Sequence, residues 1–145
     1  MIIKEKLTTI IFDWGGVCCQ AGEPFASPAL QKKVGLTPDQ ITAQVKNLQR
    51  NYYRGLLAQN DFWEAVLSHF KLTANRQLNP RTLSGAYLRS YRLYPKVLAI
   101  ARKLQDRYRV GLLSNLTPEM RDHIKKVHHT SQYFPTEIYS CDPGV

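Results

Sequence analysis

The chain has 145 residues, of which 43% are hydrophobic and 21% are charged, a composition typical of one globular domain with a core of its own. Its apolar runs all fall short of the roughly 20 residues that span a bilayer, and the segment 1–12 is too short and too charged for a signal peptide. These features argue against a membrane protein and predict a cytoplasmic one.

The net charge of +9 raises nucleic acid as a partner, because basic proteins attract polyanions. The lysines and arginines are scattered from Lys4 to Lys126, however, and the longest runs are pairs such as Lys32-Lys33. Scattered charge is typical of a solvated surface, so nucleic-acid binding is the least favoured interpretation.

The three cysteines are Cys18, Cys19 and Cys141. Their odd number and the absence of CxxC spacing argue against a disulfide framework or a zinc site. We expect Cys18 and Cys19 to be small buried or half-buried residues just after a turn, and a reactive thiol or a soft-metal ligand is the alternative.

The first predicted element is a strand over residues 7–13, "LTTIIFD". This run is short, apolar at nearly every position and rich in β-branched residues, which predicts a strand of a parallel sheet that is covered on both faces. It ends at Asp13, and the chain then turns through Gly15 and Gly16.

Three helix starts follow between residues 20 and 90, with Thr37, Asp61 and Asn79 as predicted N-caps. Thr37 and Asp61 are each followed three residues later by the Gln or Glu of a capping box, and proline follows Thr37 and Asn79 at the first helical position. This segment is predicted to form a separate helical subdomain. Its apolar faces carry Leu48, Tyr52, Phe62, Val66, Phe70, Leu83 and Tyr87.

Strands and helices alternate from residue 95 onward. A helix over 95–108 precedes a strand over 108–115, and a helix that begins after Thr117 precedes a weaker strand over 136–141. This order predicts a right-handed parallel α/β unit. One face of the helix over 95–108 carries Val97, Ile100, Ala101 and Leu104.

Polar residues end two of the predicted strands: Asp13 ends the first, and Ser114-Asn115 ends the second. Ligands of open parallel sheets bind beyond the carboxyl ends of the strands, so these residues are expected to face one pocket. A carboxylate there can attack phosphorus, and Gly15 and Gly16 let the backbone approach a phosphate. The Ser114 hydroxyl and the N–H groups of the next helix can hold phosphate oxygens. The alternative is that each residue is only a turn former or a helix cap.

The segment "IIFDWGGV" resembles the first motif of the haloacid dehalogenase-like (HAD) hydrolases, and "VGLLSN" resembles their second motif. "NYYRGLLAQNDFWEAV" resembles the helical lid that one branch of the family inserts after the first motif. The resemblance covers the whole chain. It implies an α/β fold with a Rossmann-like parallel core, incomplete at about three strands, formed by residues 1–19 and 91–145, and a helical cap over 20–90.

The resemblance also implies a phosphate-monoester phosphatase that acts with Mg²⁺ on a small phosphorylated metabolite. Asp13 would form a phospho-aspartate and would ligate the metal together with the backbone carbonyl of Gly15. The Gly16 N–H, the Ser114 hydroxyl and the backbone of Asn115 would bind the phosphate. Mg²⁺ suits an oxygen-only site because it keeps several waters and needs few carboxylates.

Two departures from the family pattern alter this expectation. Gly15 stands where most of the family's phosphatases have an acid, and a general acid typically raises the reaction rate by about 10²- to 10⁴-fold. We therefore expect slower cleavage of alkyl phosphates with the nucleophile retained. Dehalogenation, which needs no such acid, ranks low because the surroundings of Asp13 differ.

The second departure is that Val145 precedes the expected positions of the family's lysine and paired acids. The chain is accordingly expected to be the N-terminal part of a hydrolase, weakly active or inactive alone. Its first strand would be an apolar sheet edge through which copies could self-associate. The alternative function is that of a pseudoenzyme that binds a phosphate or a partner.

Overall fold

The computed structural model describes residues 7–144, so residues 1–6 of the predicted core and Val145 lie outside the described residues. The described part is an α/β structure with a parallel sheet, a two-stranded ribbon and seven α-helices, which confirms the predicted fold class. Its elements are β1 (Thr9–Phe12), β2 (Cys19–Gln20), α1 (Pro28–Val34), α2 (Pro38–Gln44), α3 (Lys46–Tyr53), α4 (Gln59–His69), α5 (Pro80–Leu88), β3 (Arg92–Leu93), α6 (Pro95–Leu104), β4 (Arg109–Ser114), α7 (Pro118–His128), a 3₁₀ helix (Thr130–Gln132) and β5 (Thr136–Tyr139).

The three predicted strands form one parallel sheet in the order β1-β4-β5. Phe12 pairs with Leu112, and Ser114 pairs with Tyr139, so the three carboxyl ends lie at the same edge of the sheet. This register brings Asp13 next to the end of β4. Strand β1 lies at the outside of the sheet formed by residues 7–144, as expected.

The two faces of the sheet differ. Val110 and Leu112 are buried on one face, where Phe12 also packs on Phe134 at 5.6 Å between ring centroids. The prediction that the strands are covered on both faces is wrong for the described part, because none of its elements covers the second face. That face is an open depression of about 260 Å³, and Ile11, Leu113 and Ile138 are 64%, 51% and 43% exposed there.

Local sequence signals placed most helix starts correctly. The Thr37 and Asn79 side chains accept from backbone N–H groups in capping boxes, and Thr117 caps α7. The predicted start at Asp61 is wrong, because α4 begins at Gln59 after Ala58, without a side-chain cap. Asp61 lies instead in the first turn of α4, where the helix dipole stabilises a negatively charged side chain. No helix within residues 7–144 is both long and apolar enough to cross a membrane.

The predicted apolar face of α6 is correct only in part. Ala101 is buried, but Ile100 is 53% exposed. The helix is rotated so that Leu98 is buried instead, at 4% exposure. Both residues are aliphatic, so the apolar pattern alone did not distinguish them.

The helices α1–α5 lie in a segment that leaves and rejoins the rest of the chain through the antiparallel β2–β3 ribbon. Its core is aromatic: Tyr52 stacks on Phe62 at 4.2 Å, and Trp63 meets Phe25 edge-on at 5.9 Å. The ribbon lies beside the predicted boundaries at residues 20 and 90. The division into core and cap remains a prediction.

Candidate functional site

Asp13 and Ser114 meet at the carboxyl ends of β1 and β4. The Ser114 hydroxyl donates to Oδ1 of Asp13 at 2.6 Å, and the N–H of Trp14 donates to the same oxygen at 2.6 Å. Ser114 is buried, whereas Asp13 is exposed. Oδ2 of Asp13 has no hydrogen-bond partner among residues 7–144. One oxygen of the carboxylate is therefore held in place, and the other is open to solvent and ligands.

The turn after Asp13 is held by its own backbone. The carbonyl of Trp14 accepts from the N–H groups of Cys18 and Cys19 at 2.9 and 3.2 Å. Gly16 has φ +80°, which favours glycine, and its N–H donates to the carbonyl of Cys19 at 2.8 Å. The N–H predicted to bind phosphate is thus engaged in the turn, and it would have to be shared or released to reach an anion.

Gly15 is different from Gly16. It is half-buried, its φ lies outside the left-handed region, and a Cβ built on it would meet only the Cβ of Ala21, at 3.7 Å. That distance is an ordinary van der Waals contact. The position therefore has room for the acidic side chain that the family pattern would place there.

The side chain of Trp14 holds the turn in place by packing in the protein interior. Its side chain is 1% exposed and lies 6.5 Å from the ring of Tyr91 and 6.1 Å from that of His128. The Tyr91 hydroxyl is 2.5 Å from Nε2 of His128 and 3.1 Å from Nε2 of His123. Burial lowers the pKa of both histidines, which favours their neutral forms. Sequence reasoning missed this cluster because its members are far apart in the chain and match no motif.

All three cysteines are buried, which confirms the expectation for Cys18 and Cys19. Burial raises the pKa of Cys18 to about 12 and that of Cys19 to about 11. Both thiols are therefore protonated near neutral pH, which disfavours the reactive-thiol alternative. Within residues 7–144, no three His, Cys, Asp or Glu side chains are grouped so that they could hold a metal ion.

Asp142 follows β5, so it lies on the same side of the sheet as Asp13, at the carboxyl ends of the strands. Its Oδ1 pairs with Arg121 at 3.0 Å, and its Oδ2 accepts from the backbone N–H of Tyr139 at 3.0 Å. Both oxygens are engaged in structural contacts. Asp142 is therefore a poor candidate for a second metal-ligating carboxylate.

Two spaces near the carboxyl ends of the strands share lining residues. A cavity of about 80 Å³ is lined by the turn at Gly15, by Tyr53 and Tyr87 of the helical segment, and by Asn115. A groove of about 440 Å³ shares Tyr53 and Asn115 with this cavity. The remaining residues that line the groove all belong to α3 or follow it directly: Lys46, Gln49, Arg50 and Arg54. Sequence reasoning missed these cations, although their spacing of four residues signals one face of a helix.

The end of α3 is fixed against the loop that follows β5. The Ser140 hydroxyl donates to the carbonyl of Tyr53 at 2.7 Å. Gly55 has φ +68°, and a Cβ there would lie 2.5 Å from the carbonyl oxygen of Cys141. Because glycine satisfies both the backbone conformation and the close approach, α3 is held beside the strand ends.

A buried carboxylate links α7 to the helical segment. Glu119, in the first turn of α7, accepts from the hydroxyl of Ser84 on α5, and Gln59 on α4 donates to Ser84 at 2.7 Å. Glu119 is 6% exposed. Burial raises the pKa of this carboxyl, and the hydrogen bond from Ser84 opposes the rise.

No protein-family model matches the sequence, and no curated protein matches it. Solved structures do match. An HAD family enzyme from Bacteroides thetaiotaomicron superposes with a TM-score of 0.78 at 16% identity, over 94% of this chain and 70% of that one. The structure of its complex with magnesium and inorganic phosphate gives a TM-score of 0.74 at 17% identity, with the same coverage.

A predicted HAD-like hydrolase from Porphyromonas gingivalis has a TM-score of 0.70 at 20% identity, over 93% of this chain and 67% of that one. At such identities the similarity establishes the fold. The chain therefore has the fold of the haloacid dehalogenase-like hydrolases.

Proposed function

We propose that the chain acts as an HAD-type phosphate-monoester phosphatase, with Asp13 as the nucleophile. The observation that carries this proposal is the 2.6 Å hydrogen bond from Ser114 to Oδ1 of Asp13. It joins the ends of two adjacent parallel strands, where open α/β sheets bind ligands. It also leaves Oδ2 free to attack.

In the proposed reaction, Oδ2 of Asp13 attacks phosphorus and the P–O bond to the leaving group breaks, giving an aspartyl phosphate. The leaving oxygen takes the bonding electrons and is protonated by water, because Gly15 has no acid to offer. A water molecule then attacks phosphorus and loses a proton to solvent, and the P–O bond to Oδ2 of Asp13 breaks, which releases inorganic phosphate and restores the carboxylate. Ser114 orients the carboxylate first and can then donate to a phosphate oxygen.

The magnesium in the Bacteroides enzyme supports a role for this ion here. Asp13 and the backbone carbonyl of Gly15 are the oxygen ligands that would hold it. Mg²⁺ accepts few protein ligands when substrate phosphate and water complete its shell. When bound, it would offset the negative charge of the phosphoryl group. Since residues 7–144 hold no cluster of three ligating side chains, we expect weak binding of Mg²⁺ without phosphate.

The proposed substrate is a small phosphorylated metabolite, and the proposed cap over residues 20–90 closes the site. The cavity of about 80 Å³ between the turn and the helical segment supports this arrangement, since it adjoins both Gly15 and Asn115. The Asn115 backbone and a released Gly16 N–H are the proposed further phosphate donors.

Turnover of p-nitrophenyl phosphate with Mg²⁺ tests the proposal, since this leaving group needs little help from an acid. We expect slow release of p-nitrophenol that Asp13→Asn abolishes and Asp142→Asn retains. Turnover that survives Asp13→Asn contradicts the proposal.

The second candidate function is that of a phosphate-binding pseudoenzyme, which the missing acid at Gly15 and the small set of metal ligands favour. It predicts Mg²⁺-dependent binding of beryllium trifluoride, a phosphoryl mimic, at Asp13 without turnover. Fluorine NMR detects the bound species, and Asp13→Asn should remove its signal.

We also propose that copies of the chain pair through the edge of β1. Strand β1 carries no charged side chain that would oppose such pairing, and Ile11 on it is 64% exposed. Sedimentation should show a concentration-dependent dimer that Ile11→Lys dissociates. A monomer at all concentrations contradicts this proposal.

A further inference from the structure

Helix α3 presents a row of cations beside the candidate site. Lys46, Arg50 and Arg54 lie at successive intervals of four residues, so they share one face of the helix. The opposite side is apolar: Tyr52 is buried and Leu48 is half-buried. The cations are exposed, and all three line the groove of about 440 Å³.

Among residues 7–144, no carboxylate forms an ion pair with these cations. The ion pairs within residues 7–144 use Arg121 and Lys125 instead. Like charges four residues apart destabilise a helix by about 0.2–0.5 kcal/mol per pair. A repulsion of this size is also found on ordinary solvent-exposed helix faces, so the charge alone does not indicate a binding site.

The position of the cations distinguishes them from a solvated face. The groove is lined in part by Asn115, the residue that directly follows the phosphate-site candidate Ser114. Tyr53 and Asn115 line both the groove and the small cavity over Gly15. Gly55 and the bond from Ser140 to the Tyr53 carbonyl hold this end of α3 in place. A leaving group that extends from a phosphate at Asp13 past Asn115 would therefore enter the groove.

We propose that the groove binds a second anionic group on the substrate, a phosphate or a carboxylate carried by the leaving group. The inference rests on the proposed phosphatase function and names the substrate class: phosphate esters with a second anion. Arg50 and Arg54 supply planar guanidinium groups that suit bidentate binding of either anion, and Lys46 adds a point charge.

Calorimetry with two matched esters tests this inference in the presence of Mg²⁺. Butyl phosphate has one phosphate, and 1,4-butanediol bisphosphate adds a second phosphate on a carbon chain of the same length. We expect the wild-type chain to bind the bisphosphate at least about tenfold more tightly, since hydrogen bonds between charged groups are strong. The difference should shrink as salt is added.

The double variant Arg50→Gln/Arg54→Gln should remove most of this difference and lower the affinity for butyl phosphate no more than a matched loss of charge elsewhere does. The variant Arg76→Gln/Arg81→Gln is the matched control, because it removes the same charge at exposed residues that do not line the groove. A bisphosphate preference that persists in the first variant, or falls equally in the control, overturns the inference.

The outcomes also separate the two proposals. Equal binding of both esters by the wild-type chain, with beryllium trifluoride still bound at Asp13, overturns the anionic groove alone. Failure of both esters and of beryllium trifluoride to bind overturns the proposed function as well. Tighter binding of a single-stranded oligonucleotide than of the bisphosphate, lost in Arg50→Gln/Arg54→Gln, overturns the assignment of a small-molecule substrate.

Discussion

Two aspartates follow parallel strands at the same edge of the sheet, yet their surroundings differ. Asp13 follows β1, is exposed and has only Oδ1 engaged, by Ser114 and by the N–H of Trp14. Asp142 follows β5 and has both oxygens engaged, by Arg121 and by the N–H of Tyr139. The position of an aspartate after a strand therefore does not by itself show whether the residue is catalytic or structural. The free Oδ2 makes Asp13 the candidate nucleophile, whereas Asp142, with both oxygens engaged, has a structural role.

The strongest test of this contrast is Asp13→Asn. We expect activity toward p-nitrophenyl phosphate to fall at least about 10³-fold, because the amide cannot form the acyl phosphate. The free energy of unfolding should change little, since the amide oxygen can still accept from Ser114. Steady-state rates and urea denaturation measure the two effects, and unchanged rates would show that another group attacks.

A gain of function at Gly15 sharpens the account of the Asp13 site. The Cβ built at Gly15 meets only Ala21 at 3.7 Å, so Gly15→Asp should fold. The new acid should raise cleavage of alkyl phosphates by about 10²-fold or more and affect aryl phosphates much less. Gly15→Asn is the control that has the same size without the proton. Equal gains for both substrates would argue against acid catalysis.

Removing the hydroxyl that orients Asp13 should have a smaller effect. Ser114→Ala is expected to lower kcat/KM by about 10- to 100-fold, the loss of one hydrogen bond to a charged group. Ser114→Thr keeps a hydroxyl and should recover part of the activity. If Ser114→Ala is fully active, the 2.6 Å contact has no role in catalysis.

The converse change, Asp142→Asn, should affect stability rather than chemistry. Loss of the ion pair to Arg121 should lower the free energy of unfolding by about 1–2 kcal/mol, with activity retained. Asp122→Asn is the matched control, because Asp122 pairs with the same arginine but its side chain is 67% exposed. Such a pair is worth about 0–1 kcal/mol. A loss of activity in Asp142→Asn with normal stability would place Asp142 in the site.

Glu119 extends the comparison to a carboxylate that is buried altogether. Because burial raises its pKa, the folded state holds its proton more tightly than the unfolded state does. Stability from this group is fully present below the unfolded pKa of about 4.3 and is lost as the pH rises through the folded pKa. Glu119→Gln should flatten that fall, and urea denaturation at several pH values measures it. An unchanged pH dependence would mean that Glu119 does not contribute to it.

The sequence predicted the sheet better than it predicted the site. The strands ending at Asp13 and Ser114 were recognisable because each is a short β-branched or aliphatic run that stops at a polar residue. The start of α4 was misplaced because Asp61 and Glu64 imitate a capping box one turn inside the helix. The open face at Ile11 could not be seen, since apolar side chains look the same in sequence whether or not they are covered.

Site details that depend on contacts between distant segments were not predictable. The engagement of the Gly16 N–H by Cys19 depends on how the turn closes. The contrast between Asp13 and Asp142 depends on Arg121, which no motif links to either aspartate. The spacing of four residues between the cations on α3 indicated one helix face, but only the folded chain shows that Asn115 lines the same groove.

Trapping the covalent intermediate tests the central claim most directly. The chain would be incubated with acetyl phosphate and Mg²⁺, quenched, reduced with borohydride and mapped by mass spectrometry, since borohydride converts an aspartyl phosphate to homoserine. We predict homoserine at position 13 and unmodified aspartate at position 142. Homoserine at position 142, or none at position 13, would contradict the assignment of Asp13 as the nucleophile.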